Sequence, residues 1–376
     1  MKIIVLGGGL IGRTIIADLS TSFEVTCADV NTDALKNIAD TFNVKTIHAD
    51  LSDKSLLKYL LEPFDLVVGA VPGFMGFETL KTVIECGKKC VDISFFPEDA
   101  FELDALAKEN NVTAVVDCGV APGMCNIIAG FHNQRMQLSF YECLVGGLPV
   151  ARQWPYEYKA VFSPVDVIEE YTRPARIKEN GKIVVKEALS DIEQIDFPVT
   201  GTLESFNSDG LRSLLKTFSH VPDMIEKTLR YPGHASLMKI LRETGFFNKE
   251  KIKTSAGEVS PLEVTSKLLF PKWKLQKGEE DLTIMRITLR GVDVSGNIQH
   301  VYTLVDRYDT TTNTTSMART TAYTCTSAVN LLAKGLYKRK GISPPEYLGE
   351  DEKCFNEMIH YLKQRNVDYV HEVKPV

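Results

Sequence analysis

Ile3-Ile4-Val5-Leu6-Gly7-Gly8-Gly9-Leu10-Ile11-Gly12 is the stretch whose reading decides the fold. Four apolar residues run directly into a glycine-x-glycine-x-x-glycine pattern, and an amphipathic segment from Leu10 to Leu19 follows. A charged-then-apolar start superficially matches a signal peptide, but glycine interrupts it and no cleavage pattern follows, so a buried first strand is expected. In the order strand, glycine turn, helix, each glycine has a physical reason. Gly7 makes the tight turn, Gly9 lets the backbone approach a pyrophosphate, and Gly12 lets the helix pack close to the strand. The helix start, with Leu10 and Ile11 in its first turn, supplies partial positive charge.

Working outward, Asp29 ends the second apolar run, near the offset of roughly 20 residues at which a carboxylate meets the ribose hydroxyls of a dinucleotide. A 2′-phosphate would be repelled there, and Val30-Asn31-Thr32 provides no cation for it, so NAD is expected in preference to NADP. The alternative is a glycine turn with no ligand and an Asp29 that only caps the next helix. Asp50, after the third run, is placed either to contact the adenine or to cap the helix beginning at Lys54. Ala70-Val71-Pro72 closes the fourth run, where the nicotinamide half of a cofactor crosses the sheet.

The first third repeats this βα unit. Strands are expected at Ile3–Leu6, Glu24–Ala28, Val44–His48, Leu66–Ala70, Cys90–Ile93 and Thr113–Asp117. Helices are expected at Leu10–Leu19, Thr32–Thr41, Lys54–Leu61, Phe77–Cys86 and Asp99–Asn110. The fold class is therefore α/β, a Rossmann doubly wound parallel sheet, with a second α+β domain containing an antiparallel sheet. The second domain is read from two hairpins, one turning at Asn180-Gly181 and one around Ser295-Gly296-Asn297. Residues 1–125, completed by 317–376, form the dinucleotide domain, and residues 126–316 form the substrate-binding and dimerisation domain. A helix from Met317 to Ala333, with Gly335 just beyond it, makes the return.

The 376 residues suffice for two hydrophobic cores. Acidic side chains number 49 against 43 basic ones without a long single-sign run, which lacks the footprint of a nucleic-acid binder. The absence of any apolar run of roughly 18 to 20 residues argues against a membrane span. Eight cysteines without a C-x-x-C pair point to reduced thiols, a cytoplasmic setting and no metal site.

Five segments extend the reading beyond the glycine loop. They are Asp117-Cys118-Gly119-Val120-Ala121-Pro122-Gly123-Met124 with Asn126, Phe206 to Arg212, Thr228-Leu229-Arg230-Tyr231-Pro232-Gly233-His234, Ala318 to Tyr323, and Gly341 to Glu346. In order and spacing they resemble the lysine 6-dehydrogenase and saccharopine dehydrogenase family. The resemblance implies NAD(P)-dependent oxidation of a C–N bond of an amino acid by a two-domain enzyme that dimerises through its second domain. Hydride transfer to nicotinamide leaves an imine that water hydrolyses to an aldehyde. L-lysine 6-dehydrogenase-like oxidative deamination is the leading reading, followed by glutamate-forming saccharopine dehydrogenase or saccharopine reductase. A carboxynorspermidine-type polyamine enzyme comes third, and a non-catalytic NAD-binding regulator is the alternative of another class.

An amino-acid carboxylate calls for bidentate cationic contacts. Arg230 leads the candidates, with Arg212 and Arg319 beside it; the alternative for each is a salt bridge between domains or subunits. His234 is either a proton-transfer group or a structural residue closing the Pro232-Gly233 loop. Asp117 and Asp92 stand at strand ends near the expected nicotinamide position, where a carboxylate orients an ammonium or takes up a proton; Asp117 alternatively caps the following turn. Gly123 is expected against the cofactor. Tyr231 and Tyr323 are read as packing aromatics. Phe95 and Phe96, in Ser94-Phe95-Phe96-Pro97, depart from the polar segment associated with lysine 6-dehydrogenases and line either an apolar pocket or the core.

Overall fold

A computed structural model of the chain describes residues 1–375 apart from 198, 256 and 277. The chain divides into two compact units, residues 1–135 with 318–368, and residues 136–317 with 369–376.

The first unit is built on β1 (Lys2–Leu6), β2 (Glu24–Asp29), β3 (Lys45–His48), β4 (Leu66–Gly69), β5 (Lys89–Asp92) and β6 (Thr113–Val115). Ile3, Ile4, Val5 and Leu6 are fully buried, which suits a central strand covered on both faces. Helix Leu10–Leu19 buries Ile15, Ile16 and Leu19. A seventh parallel strand, Gly341–Ser343, joins the edge beside β6, giving the order Gly341–Ser343, β6, β5, β4, β1, β2, β3. The strand order reverses about β1, which pairs with both β2 and β4, so the crevice beyond its C-terminal end is the switch point where such sheets take ligands.

The boundary falls after Arg135 rather than at residue 125, because helix Met124–Asn133 packs backbone-to-backbone within the first unit. A Cβ on Gly130 would lie 2.0 Å from the Glu346 carbonyl oxygen, and one on Gly349 would lie 1.9 Å from that of Ile127. Two glycines thus permit an approach that alanine would prevent. The last strand, Tyr369–Pro375, was expected with the first unit; it pairs instead with Gly296–Arg307 of the second.

The second unit holds a nine-stranded sheet. Its main path runs Glu193–Phe197, Gly201–Asn207, Asp223–Arg230, Gln137–Pro149, Asp281–Asp293, Gly296–Arg307, Tyr369–Pro375. The sheet is mixed rather than purely antiparallel, since Asp223–Arg230 runs parallel to Gln137–Pro149. Hairpin Ala175–Glu179 and Lys182–Lys186 turns at Asn180 and Gly181, whose φ values of 50° and 78° are those of a primed turn. The second hairpin turns one residue earlier than expected, at Val294-Ser295, because the Asp293 carboxylate accepts both the Ser295 N–H and its hydroxyl and pins the turn. A further pair of short strands, Ile252–Thr254 and Gly257–Val259, lies apart from the main sheet. Among the described residues no helix is long and apolar enough to cross a membrane.

Candidate functional site

The first unit presents the glycine loop as a cradle. A Cβ on Gly7, at φ 108°, would lie 2.3 Å from the Ala70 carbonyl oxygen, and one on Gly12 would lie 2.0 Å from that of Gly7. Both glycines are therefore demanded by packing. Gly9 is different: its backbone is extended and a Cβ there would meet nothing within 4 Å. The space above it is what a pyrophosphate needs. Helix Leu10–Leu19 begins at Gly9 with no side-chain cap and no acidic residue in its first turn, so its N–H groups and dipole stay available to an anion. Leu10, 55% exposed, and half-buried Ile11 form the rim of that turn.

Asp29 is tied to the same loop. Its Oδ2 accepts the Gly8 N–H at 2.6 Å and its Oδ1 accepts that of Asn31 at 2.7 Å. The helix after β2 is capped not by Asp29 but by Asn31, which accepts from Asp33 and Ala34, leaving Asp29 to orient the loop. Asp50 likewise does not cap the helix from Lys54; Asp53 does, while Asp50 holds the N–H and hydroxyl of Ser52. Ala70, Val71 and Pro72 follow β4 directly and lead into helix Gly73–Glu85. The residues present fit a dinucleotide.

Asp92, at the end of β5, is buried and accepts the Ser94 N–H at 2.8 Å. Its carboxylate fills the place of the side chain that Gly69 lacks, since a Cβ there would lie 1.8 Å from Asp92 Oδ2. Asp117 is also buried, just past β6, at φ 52°. The Cys118 N–H donates to the Asp92 carbonyl, so the two strand ends are locked side by side. Gly123, at φ 141°, lies against Gly119, with a Cβ only 1.8 Å from the Gly119 oxygen. Asn126 closes the loop by accepting from the Gly123 N–H and donating to Glu346. Phe96 is a core residue packed edge-on against Phe77, and Phe95 is half-buried.

Arg319 belongs to this first unit, where it is buried and donates to the carbonyls of Arg365 and Asn366 beyond helix Glu352–Lys363. The other candidates lie in the second unit. Arg212 stands half-buried in the turn before the short helix Leu214–Thr217, at φ 46°. Arg230 ends its strand inside a polar cluster that the sequence spacing did not reveal. Its Nη2 donates to Glu170 Oε2 at 2.6 Å, Nη1 to the Leu229 carbonyl at 2.9 Å and Nε to the Tyr171 hydroxyl at 3.2 Å. The guanidinium carbon lies 4.7 Å from the centre of the Tyr158 ring.

Tyr171 brings Arg230 and His234 together. The Tyr156 carbonyl can only accept, so His234 Nδ1 carries the proton toward it at 2.9 Å and Nε2 accepts the Tyr171 hydroxyl at 2.9 Å. Glu204 accepts the N–H groups of Gly233 and Ala235 and so holds the start of helix His234–Glu243. Burial, reinforced by the Arg230 charge, pushes His234 down to about 3. At neutral pH it is an uncharged link with both ring nitrogens engaged, the structural reading of its loop position rather than a proton donor. An unfolded histidine titrates near 6.5, so between about 6.5 and 3 the unfolded chain binds a proton that the folded chain refuses. Stability from this group is present above pH 6.5 and is lost as pH falls toward 3, by about 1.4 kcal/mol per pH unit. Chemical denaturation across this range should show that slope, and His234→Gln should flatten it; an unchanged slope would contradict the assignment. Glu170, Tyr171 and Tyr158 escaped the sequence reading because a carboxylate 60 residues from its arginine leaves no local pattern.

A parallel doubly wound sheet with this loop, continued by a second mixed-sheet unit, defines a two-unit dinucleotide-cofactor protein. The model of the saccharopine dehydrogenase NADP binding domain matches residues 3–115, and that of the saccharopine dehydrogenase C-terminal domain matches residues 119–367. The chain belongs to the saccharopine dehydrogenase family, a family of NAD(P)-linked oxidoreductases of amino-acid metabolism. It is 24% identical over 277 residues to the mitochondrial alpha-aminoadipic semialdehyde synthase of Rattus norvegicus, covering 69% of this chain and 30% of that protein. It is 24% identical over 282 residues to the NADP(+), L-glutamate-forming saccharopine dehydrogenase of Pyricularia oryzae, covering 71% of this chain and 63% of that one. The chain thus spans less than two thirds of either relative. Its fold matches apo saccharopine dehydrogenase (L-Glu forming) from Saccharomyces cerevisiae with a TM-score of 0.80, 18% identity and 99% of both chains covered. It also matches homospermidine synthase from Legionella pneumophila in complex with NAD, with a TM-score of 0.71 and 11% identity over 99% of this chain and 91% of that one.

Proposed function

We propose that this chain oxidises a carbon–nitrogen bond of an amino acid with a nicotinamide dinucleotide, in the manner of an L-lysine 6-dehydrogenase. The observation that carries the reading is the open cradle at Gly9, formed by an uncapped helix start and the Asp29-tied loop, in a chain whose second half carries the family's C-terminal domain. When bound, the nicotinamide supplies the hydride acceptor. The chain's own contribution is to hold and orient: the helix start takes the pyrophosphate, Asp29 the ribose hydroxyls, and Asp50, Ala70, Val71, Pro72 and Gly123 border the cofactor. Asp117 and Asp92 are the carboxylates proposed for the amine at the reacting carbon and its proton; the carboxylate-binding role expected of Arg230 and Arg319 is not carried over, because Arg230 is ion-paired with Glu170 and Arg319 donates to main-chain carbonyls. His234 acts by positioning Tyr171 and, through it, Arg230.

Lysine is favoured over a larger substrate by what the arginines already hold. Arg230 is ion-paired with Glu170 and Arg319 is engaged with main-chain carbonyls. Neither of these two therefore offers a further carboxylate, such as saccharopine carries, a bidentate contact without giving up a partner. The second reading, glutamate-forming saccharopine oxidation, is favoured by the similarity to the L-glutamate-forming saccharopine dehydrogenase of Pyricularia oryzae. NAD is proposed over NADP because the Asp29 carboxylate, held at the end of β2 by the Gly8 and Asn31 N–H groups, would repel a 2′-phosphate, and its neighbour Val30 is 63% exposed without charge. Assembly as a homodimer through the second unit, in the cytoplasm, completes the proposal.

The test is the initial rate of NAD and NADP reduction with L-lysine and with saccharopine. Turnover of lysine with NAD in at least about tenfold preference to NADP, a difference of 1.4 kcal/mol, is the expected result. Turnover of saccharopine alone would replace the leading substrate by the second. NADH binding without turnover of either would favour a non-catalytic regulator.

A further inference from the structure

The Arg230–Glu170 pair has an inner half and an outer half. Only 3% of the Arg230 side chain is exposed, and its donors point at Tyr171, Leu229 and Glu170. Glu170, on helix Pro164–Thr172, keeps 20% of its side chain exposed. Only its Oε2 takes the arginine bond; Oε1 accepts no hydrogen bond among the described residues. The carboxylate is therefore held in one orientation by a buried cation, with one oxygen outside that bond and part of the side chain exposed. The rings of Tyr158 and Tyr171, both buried, pack on the inner side of the pair, 4.7 and 5.9 Å from the guanidinium carbon, and help to hold Arg230 in place. A carboxylate needed only to neutralise Arg230 would gain by presenting both oxygens to it, as Asp209 does to Arg176.

We propose that Glu170 is a substrate-binding residue: Oε1 accepts a hydrogen bond from an ammonium group of the amino-acid substrate, and Arg230 fixes the direction of that oxygen. The inference rests on the amino-acid reading above and assigns a substrate ammonium other than the amine at the reacting carbon to a residue outside the family segments. A primary ammonium is a compact charge with three donors and suits a single carboxylate oxygen. A substrate with a hydroxyl in the same place lacks the charge, and one with a carboxylate there is repelled. Burial pushes the Glu170 carboxyl up and the Arg230 charge partly offsets this, so the affinity for the amine should fall as Glu170 takes up its proton in acid.

The experiment is calorimetric titration of the NADH-loaded chain with L-lysine, with norleucine, which lacks the side-chain amine, with 6-aminohexanoate, which lacks the α-amine, and with saccharopine. The wild-type chain should prefer lysine to one of the two analogues by about 10- to 100-fold, the worth of a charged hydrogen bond. In Glu170→Gln that preference should collapse, or saccharopine should weaken by a similar factor if it alone binds. Because Glu170→Gln leaves Arg230 without its counter-charge, Glu170→Asp serves as the second variant. It keeps the charge, withdraws the oxygen by one methylene, and should lose part of the preference with its fold intact. Preference retained in both variants overturns the inference, as does wild-type protein that binds none of the four. Turnover with unchanged selectivity in Glu170→Gln would sink this inference and leave the oxidation reading standing. Glu170-dependent binding without any NAD or NADP reduction would do the reverse.

Discussion

Gly9→Val is expected to weaken NADH binding by at least about 100-fold, with the melting temperature of the unliganded protein unchanged. At Gly9 the backbone has φ −68° and ψ −165°, a region any residue adopts, and an added Cβ meets no atom within 4 Å. The added Cβ therefore meets no clash, and the rest of the valine side chain would stand in the volume assigned to a pyrophosphate approaching the first N–H groups of the helix. Gly12→Val is the contrasting variant. Its Cβ would lie 2.0 Å from the Gly7 carbonyl oxygen, so strand and helix must separate, at a cost of about 1–3 kcal/mol or more. NADH fluorescence titration alongside thermal unfolding separates the two. If Gly9→Val binds NADH normally, the cradle is not the cofactor site.

The second large effect is expected at Arg230. Arg230→Ala removes the cation beside Glu170, deletes the Nε–H that donates to the Tyr171 hydroxyl and empties the space over the Tyr158 ring. A buried pair broken from one side typically costs about 3–5 kcal/mol, because the remaining charge keeps its desolvation penalty without the compensating attraction. Denaturant unfolding should show a loss of that size, together with the collapse of any amine turnover. Replacing both members, Arg230→Met with Glu170→Met, should restore much of the stability but not the activity. Stability unaffected by Arg230→Ala would mean that the ion pair does not hold this part of the second unit together, and the positioning role given to Tyr171 and His234 would fall with it.

Legibility in the sequence followed the range of the interactions. Helices Leu10–Leu19 and Lys54–Leu61 have the expected ends, since both are set by local periodicity and by flanking Gly or Asp. The turn at Asn180-Gly181 was equally legible, because only residues tolerant of positive φ satisfy it. Of the two readings of Asp50, the capping one is excluded, because Asp53 takes the first N–H groups of the third helix. Two aspartates stand three apart there and either could precede the helix. The edge strand Gly341–Ser343 was read only as a segment of family type. Three residues carry no alternation, and their pairing with β6 spans more than two hundred positions.

The candidate site divides along the same line. Gly7, Gly9, Gly12 and Asp29 lie within one βα unit and its successor, so backbone geometry alone relates them, and the sequence by itself determined that the first unit is a parallel sheet with a dinucleotide loop. What only the tertiary structure decided is how charges meet. Arg230 was a plausible free cation until Glu170, Tyr171 and the Leu229 carbonyl were seen around it. His234 was a plausible proton donor until both its nitrogens were accounted for in a buried setting. The state of an ionisable side chain depends on its desolvation and on partners brought near by the whole fold, whereas the glycines of the loop answer to atoms one turn away.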